Sequence, residues 1–205
     1  MSDNARTEEL RPREDEILRD LESVGVRTSS VSALRTSGVR YRAAVPVLLA
    51  WLDRVDDPRL KDQLVRALSV PWAGPEVRQR FLSDFRELDP QEDPTGTGMR
   101  WTIGNALNVL FSDVYYDDYV TLVVEPAFGR GREMLALALG KSKRPEAAAL
   151  LASLVGDPTI GGHAIQALSR VATPSERAAL ESGLQDPRGW VRASARRGLS
   201  RLTPG

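Results

Sequence analysis

A single histidine and the absence of cysteine narrow the catalytic chemistry open to this 205-residue chain. His163 is predicted to lie on a helix, where a lone imidazole is more often a structural residue than a general base. Without cysteine no thiolate is available as a nucleophile or metal ligand, and the sequence offers no convincing Ser-His-Asp set around His163. We therefore expect no catalytic residues, no metal and no cofactor. The sequence leaves open whether the chain is an enzyme, although the lack of a catalytic set argues against enzymatic activity.

A glycine-rich segment, Gly129–Glu133, offers a second kind of chemistry. It opens a predicted helix, so its backbone N–H groups could surround a phosphate with Arg130 and Arg132 nearby. However, no strand is predicted before it, and the glycine pattern of dinucleotide-binding proteins is incomplete. A tight turn between two helices is the preferred interpretation.

Three aspartates, Asp113, Asp117 and Asp118, lie among three tyrosines and supply oxygen atoms of the kind that Ca²⁺ and Mg²⁺ prefer. The spacing lacks the alternating acidic residues and glycine of a calcium-binding loop. We instead expect Asp113 to end one helix and the other two aspartates to begin the next, where carboxylates stabilise the helix dipole.

The helices that position these residues are recognised from a repeated pattern of acid–proline turns along the sequence. Five prolines that each follow an acidic residue are spaced 36, 32, 32 and 29 residues apart, and a segment with helical periodicity lies on each side of each of them. The residue before a proline is pushed out of the helical conformation, so the chain reverses there. This predicts an all-α fold, an α-α superhelix of about five helical hairpins plus an N-terminal capping helix. The acid–proline pairs are Asp57-Pro58, Asp93-Pro94, Glu125-Pro126, Asp157-Pro158 and Asp186-Pro187.

The clearest hairpin runs from Arg144 to Val171. Its apolar residues recur at the spacing of one helical face on both sides of the turn, where Gly156 is predicted to cap the first helix. The positions expected to be buried are Ala147, Leu150, Leu151 and Leu154, followed by Ile160, Ala164, Ile165, Leu168 and Val171.

One register position of the second helices is predominantly basic. It is occupied by a basic residue in four of five copies, four to seven residues after the acid of its turn. This predicts a ladder of hydrogen bonds from base to acid along the stack, with one rung missing at the glycine. The five positions are Lys61, Arg100, Arg132, Gly161 and Arg192.

The chain is predicted to form a single structural domain with two parts. Residues 1–40 form a polar N-terminal segment with a capping helix from Glu8 to Val24 and a serine-rich stretch, Thr28–Ser37, because end repeats need a polar outer face. Residues 41–205 form the repeat array, interrupted by one long loop, Asp89–Gly98. The apolar positions of the capping helix are Leu10, Ile17, Leu18, Leu21 and Val24.

The segments Lys143–Pro158 and Gln185–Leu199 resemble HEAT repeats, in particular the bacterial type found in phycobilisome-lyase proteins. The resemblance extends over roughly Tyr41–Leu202. Gly161-Gly162 departs from the Val-Arg pair usual at that place in the family. The resemblance implies a HEAT-repeat solenoid and a binding role, and it implies no particular reaction.

The leading functional hypothesis is a non-enzymatic scaffold or regulatory partner that grips a protein or peptide on its concave side. Solenoids bind along such faces, and tryptophan and arginine are enriched at binding hot spots. An antitoxin-like or immunity-like protein is a special case of this hypothesis. The candidate binding residues are Arg66, Arg100, Trp101, Asn105, Asn108, Glu133, His163, Gln166, Trp190 and Arg197.

The alternative hypothesis is a DNA-binding or DNA-repair protein similar to the HEAT-like alkylpurine glycosylases, which present tryptophan and aspartate on a basic face. The 28 basic and 28 acidic residues balance, and this disfavours nucleic acid. With no long apolar stretch, we expect a cytoplasmic protein without membrane contact, a monomer or weak homodimer. The residues assigned to DNA would be Trp101 and Trp190 with Arg100, Arg132, Arg192 and Arg197.

Overall fold

A computed structural model of the chain describes residues 3–89, 91 and 93–203, without the side chains of residues 3–12. About 70% of the chain is helical, and the described residues contain no strand. None of the described helices is both long and apolar enough to cross a membrane. The α-helices are α1 (Asp3–Ser23), α2 (Val31–Thr36), α3 (Val45–Leu52), α4 (Pro58–Leu68), α5 (Pro75–Glu87), α6 (Met99–Val109), α7 (Tyr116–Val123), α8 (Arg132–Leu139), α9 (Glu146–Ser153), α10 (Gly161–Val171), α11 (Arg177–Ser182) and α12 (Gly189–Leu202).

The predicted all-α class is confirmed. From α3 onward the helices follow one another in five consecutive pairs, each an odd-numbered helix and the helix after it, and α3 packs on α4, α7 on α8, α9 on α10 and α11 on α12. We call the two members of a pair its first and second helix. By its internal contacts the chain divides into two compact units, Met1–Phe81 and Leu82–Gly205, with the boundary inside α5. The division predicted after residue 40 stays a prediction.

In the first unit the N-terminal segment resembles an additional hairpin. Helix α1 packs on α3 and the short α2 packs on α4, so the serine-rich stretch contains a helix of its own. Ile17 and Leu21 are buried as predicted, and Leu18 is partly buried. The assignment of Val24 to the buried side is wrong, because α1 ends at Ser23 and Val24 is 38% exposed. Leu10 lies outside the described side chains.

The acids of the acid–proline pairs accept backbone N–H groups at the start of the second helices or in the segments just before them. A carboxylate oxygen of Asp57 accepts the N–H groups of Arg59 and Leu60 at 2.8 and 2.9 Å. Asp157 accepts the corresponding groups of Thr159 and Ile160 at 2.8 and 3.0 Å. A proline at the first helical position loses nothing by lacking an N–H, because that group has no partner inside the helix. The sequence signal is therefore a local capping motif.

In the second unit the second helices form one layer. Helix α6 packs on α8, α8 on α10 and α10 on α12, while α7, α9 and α11 each pack on the second helix of their own hairpin. Leu107, Leu139 and Leu168 occupy the same register position of neighbouring second helices and are fully buried. All three leucines therefore belong to the buried core of this unit.

The predicted core of the clearest hairpin is largely confirmed. Most of the nine predicted positions are buried, whereas Leu150, Leu154 and Val171 are only partly buried. The prediction for Gly156 is wrong. Helix α9 ends at Ser153, with Leu154 as its C-terminal cap, and Gly156 does not have a positive φ. The break is made by the capping carboxylate and Pro158, so no left-handed glycine is needed there.

The predicted base-to-acid ladder is wrong for most of its rungs, because the arginines mainly cap first helices. Arg100 donates to the carbonyl oxygens of Phe85 and Leu88 at the end of α5. Arg132 donates to the carbonyl oxygen of Val123 at the end of α7 at 3.2 Å. A guanidinium has five N–H donors and suits the unpaired carbonyls at a helix C-terminus.

The remaining rungs differ in partner. Arg192 bonds the carbonyl oxygens of Asp186 and Pro187, each at 2.7 Å. Lys61 makes no ion pair within the described residues. Only Arg132 bonds a turn carboxylate, and that carboxylate is Asp157 of the following hairpin, at 2.8 Å.

Candidate interaction surface on the second helices

The exposed side of the second-helix layer in residues 82–205 carries a row of side chains at one register position. Asn105, Leu137 and Gln166 are partly buried, and Arg197 is exposed. They come from α6, α8, α10 and α12, which are consecutive neighbours in the layer. We call this side of the layer, with Trp101 and Trp190 near the N-terminal ends of α6 and α12, the second-helix face.

Two predicted binding residues do not belong to this face. Arg100 is fully buried, with its guanidinium 4.9 Å from the ring centre of Phe128, because it caps α5 from inside the unit. Glu133 is only 5% exposed, and its carboxylate accepts from Arg130 at 2.8 Å. Neither side chain is presented to a partner, so both predictions are corrected.

The other predicted residues are at least partly exposed. Arg66 lies on α4 in the first unit, where it pairs with Asp62 at 2.6 Å. Asn105 donates to the carbonyl oxygen of Trp101 at 2.9 Å, within its own helix. Asn108 is partly buried, and its side-chain oxygen lacks a partner among the described residues.

Sequence reasoning missed the apolar part of this face. Met134 and Leu137 are partly buried on α8, between the polar side chains of α6 and α10. Their signal was present in the register alignment, because Leu137 occupies the place of Asn105 and Gln166. A leucine in a leucine-rich helix is readily taken for core, so the pattern by itself did not distinguish it.

His163 and Trp190 form an aromatic contact between α10 and α12. Their ring centres are 5.0 Å apart with the planes tilted by 48°. The guanidinium of Arg188, paired with Asp186 at 2.8 Å, lies 5.3 Å from the Trp190 ring centre. This group brings the predicted His163 and Trp190 together.

Arg188 also lies close to Gly162, one of the two glycines that depart from the family pattern. A Cβ on Gly162 would lie 2.8 Å from the guanidinium of Arg188, and one on Gly161 would lie 2.3 Å from the carbonyl oxygen of Val155. Both contacts are shorter than van der Waals distance. Glycine is therefore required at position 161, where the close atom belongs to the backbone, whereas at position 162 the Arg188 side chain could move aside.

The pKa of His163 is lowered, mainly by burial. Glu133 opposes this shift, while Arg188 and Arg130 lower the pKa further. Nδ1 of the ring is buried and has no partner among the described residues. The imidazole is therefore neutral in the folded protein near neutral pH, and this suits a packing role better than proton transfer.

We expect His163 to make the fold less stable in mild acid. Below its ordinary pKa of about 6.5 the unfolded chain binds a proton that the folded chain refuses, so the free energy of unfolding falls as the pH drops. His163→Gln should reduce this loss. Urea denaturation of both proteins at pH 7.5 and 5.5 measures it. Equal losses in parent and variant would show that His163 does not contribute.

The glycine-rich segment is a turn between helices, as preferred from its sequence. The N–H of Arg130 donates to the carbonyl oxygen of Thr95 at 2.9 Å, Gly129 has a φ of 52°, and Arg132 is committed to Val123 and Asp157. These donors are already used within the protein. The segment therefore does not form a phosphate cradle.

The acidic group is likewise divided among separate partners. Asp113 accepts from Ser142 and from the N–H of Lys143, Asp117 pairs with Arg144 and Asp118 pairs with Arg86. As predicted, Asp117 and Asp118 lie in the first turn of a helix, α7, whereas Asp113 begins a 3-10 turn. In the part of the chain that the structure describes, no three His, Cys, Asp or Glu residues are placed to hold a metal ion.

Together these observations define an α-helical repeat protein with an exposed face on its second helices. Residues 122–200 match the family of HEAT repeats, so this part of the second unit is similar to HEAT repeats. No curated protein and no solved structure matches the chain. The finer resemblance to the bacterial phycobilisome-lyase type stays a prediction.

Proposed function

We propose that this protein is a non-enzymatic interaction module that binds a protein or peptide on the second-helix face. HEAT repeats generally mediate protein–protein interaction. The observation that carries the proposal is the row of Asn105, Leu137, Gln166 and Arg197 across four neighbouring helices. Such a row offers apolar contact at its centre with amide donors and acceptors around it, the usual composition of a protein interface.

The two tryptophans are the expected anchors. Trp190 is 41% exposed although it is a large aromatic residue, and Trp101 is partly buried near the N-terminal end of α6. Tryptophan buries a large area at low entropic cost and is strongly enriched at binding hot spots. A partner lying along the layer would cover both. The proposal includes no cofactor, and a monomer or weak homodimer suffices.

The DNA alternative has lost part of its support. Of the four arginines assigned to DNA, Arg100 and Arg132 are buried and bonded to protein carbonyls. Arg192 bonds carbonyl oxygens as well, so Arg197 is the one that stays open to a partner. Steeply salt-dependent binding of duplex DNA would reverse this ranking.

The test combines the capture of binding partners with uncharged substitutions of two residues on the second-helix face. Partners are captured with the full chain from cells that express it, identified by mass spectrometry, and purified for titration calorimetry. We expect the double variant Trp101→Ala, Trp190→Ala to bind at least about tenfold more weakly, because truncated hot-spot residues typically cost more than 1 kcal/mol each.

Val114→Ala provides the matched control, because Val114 is 80% exposed and lies in the turn before a first helix. It should bind as the parent does. Circular dichroism should show unchanged helicity in all three proteins. A double variant that binds its partner with parental affinity would remove the basis for the proposal.

A further inference from the structure

The balanced net charge of the chain conceals a separation of charge between the two helix layers of residues 82–205. The second helices α6, α8, α10 and α12 contain seven arginines and one acidic residue, Glu133. The first helices wholly within this unit, α7, α9 and α11, contain four acidic residues and one arginine. The two sides of the unit therefore carry opposite charge.

Most of the basic residues on the second-helix side are not neutralised by the protein itself. Arg170, Arg196 and Arg197 are exposed, and none of them forms an ion pair within the described residues. In contrast, Asp117 and Asp118 on α7 are paired with arginines at 3.5 Å. The excess positive charge is thus concentrated on α10 and α12.

The basic side chains also share a register. Lys141, Arg170 and Arg201 occupy the same position at the C-terminal ends of α8, α10 and α12. Lys141 donates to the carbonyl oxygen of Asn108 at 2.6 Å and Arg201 to that of Ser169 at 2.7 Å, each reaching the preceding second helix. These bonds place the bases along one edge of the layer, which we call the basic edge.

The side chains of the basic edge have more N–H donors than their bonds to carbonyl oxygens use. An ammonium has three N–H donors and a guanidinium five, so Lys141 and Arg201 keep donors for another ligand. The pKa of Lys141 is lowered, first by burial and then by the positive charge of Arg170. These two cations are therefore close enough to repel each other, and a negatively charged ligand would relieve that repulsion.

Building on the proposed function, we infer that the partner presents an acidic segment whose carboxylates lie on the basic edge and whose apolar residues contact Leu137 and Met134. The charge of the edge is complementary to carboxylates, and the adjoining row is apolar at α8 and amide-bearing at α6 and α10. An acidic peptide with interspersed apolar residues fits both features, whereas a nucleic-acid backbone would leave the apolar positions unused.

The test uses synthetic probes. A fluorescein-labelled peptide of about 18 residues, built from glutamate, leucine and alanine at helical spacing, is titrated with the full chain, followed by fluorescence anisotropy. A matched peptide carries glutamine for glutamate, and single-stranded DNA of similar length serves as the second polyanion. We expect the acidic peptide to bind at least about tenfold more tightly than either, and to weaken as salt is raised.

Charge reversal locates the site. Arg170→Glu with Arg201→Glu, both on the basic edge, should weaken binding of the acidic peptide at least about tenfold, because two attractive contacts become repulsive. Lys143→Glu with Arg177→Glu changes the net charge equally, but Arg177 lies on the first helix α11 and Lys143 in the loop before α9, and this pair should bind as the parent does. Circular dichroism verifies that both double variants remain helical.

The outcomes separate this inference from the proposed function. Equal binding of the glutamate and glutamine peptides, equal effects of the two charge reversals, or tighter binding of DNA would each overturn it. If a captured partner is lost with the tryptophan variant but is insensitive to charge reversal, the proposed function holds and the acidic partner is wrong. If charge reversal weakens binding of the partner and the tryptophan substitutions do not, the proposed binding along the whole second-helix face is wrong.

Discussion

Arg132→Met should lower the free energy of unfolding by about 3–5 kcal/mol, the range found when one partner of a buried ion pair is removed. The Arg132 side chain is 3% exposed, and Asp157, its partner at 2.8 Å, is 19% exposed. The same guanidinium donates to the carbonyl oxygen of Val123 at the end of α7. The substitution therefore removes a helix cap and a link between consecutive hairpins together, while methionine keeps much of the apolar stem. Urea denaturation at neutral pH measures the change.

Arg196→Met provides the control, because Arg196 is exposed and forms no ion pair in the described part of the chain. Its effect should stay within about 0.5 kcal/mol. Acid titration adds a second readout. Burial raises the pKa of Asp157, but hydrogen bonds from Arg132 and from two backbone N–H groups bring it below its ordinary value.

A lowered carboxylate pKa means that the unfolded chain binds the proton first, so this stabilisation is lost as the pH falls through the acid range. Arg132→Met should show a smaller loss of stability between neutral and acidic pH than the parent. Equal stability of Arg132→Met and Arg196→Met would contradict the role given to this link.

Leu168→Ala should cost about 2–5 kcal/mol, as buried large-to-small changes do. Leu168 is fully buried, with an exposed fraction of 0%. Leu107 on α6 and Leu139 on α8 are buried to the same extent. The loss combines transfer of the removed atoms with a cavity inside the layer. Leu151, also fully buried on α9, should behave similarly when changed to alanine. Differential scanning calorimetry measures both variants.

Arg192→Ala is the comparison for the leucine variants. Arg192 is only partly buried and bonds two carbonyl oxygens near the surface, so water can replace much of what is lost. Its cost should be smaller than that of Leu168→Ala. The opposite order of melting temperatures would mean that the core of this unit is wrongly assigned.

The neutral total charge was a poor guide to the surface. It disfavoured a polyanionic partner at the level of composition, although α12 alone carries four arginines and no acidic residue. Total charge averages over both helix layers, whereas a ligand responds to the field of the face that it approaches.

The sequence by itself determined the all-α class, the five consecutive helix pairs and most of the buried positions of the clearest hairpin. These features are local. In four of the five turns the carboxylate before proline accepts a backbone N–H group two or three residues further on. Apolar spacing of three and four residues defines one helical face. The same locality explains the correct placement of Asp117 and Asp118 at the start of a helix.

Only the tertiary structure decided which partner each polar side chain takes. His163 and Glu133 have similar places in their helices, yet one contacts the exposed Trp190 and the other is buried beside Arg130. Arg132 reaches Asp157, 25 residues further along, rather than the acid of its own turn. A long basic side chain can reach several acceptors around a helix end. Which one it meets depends on how closely neighbouring helices approach, and that distance is set by packing across hairpins.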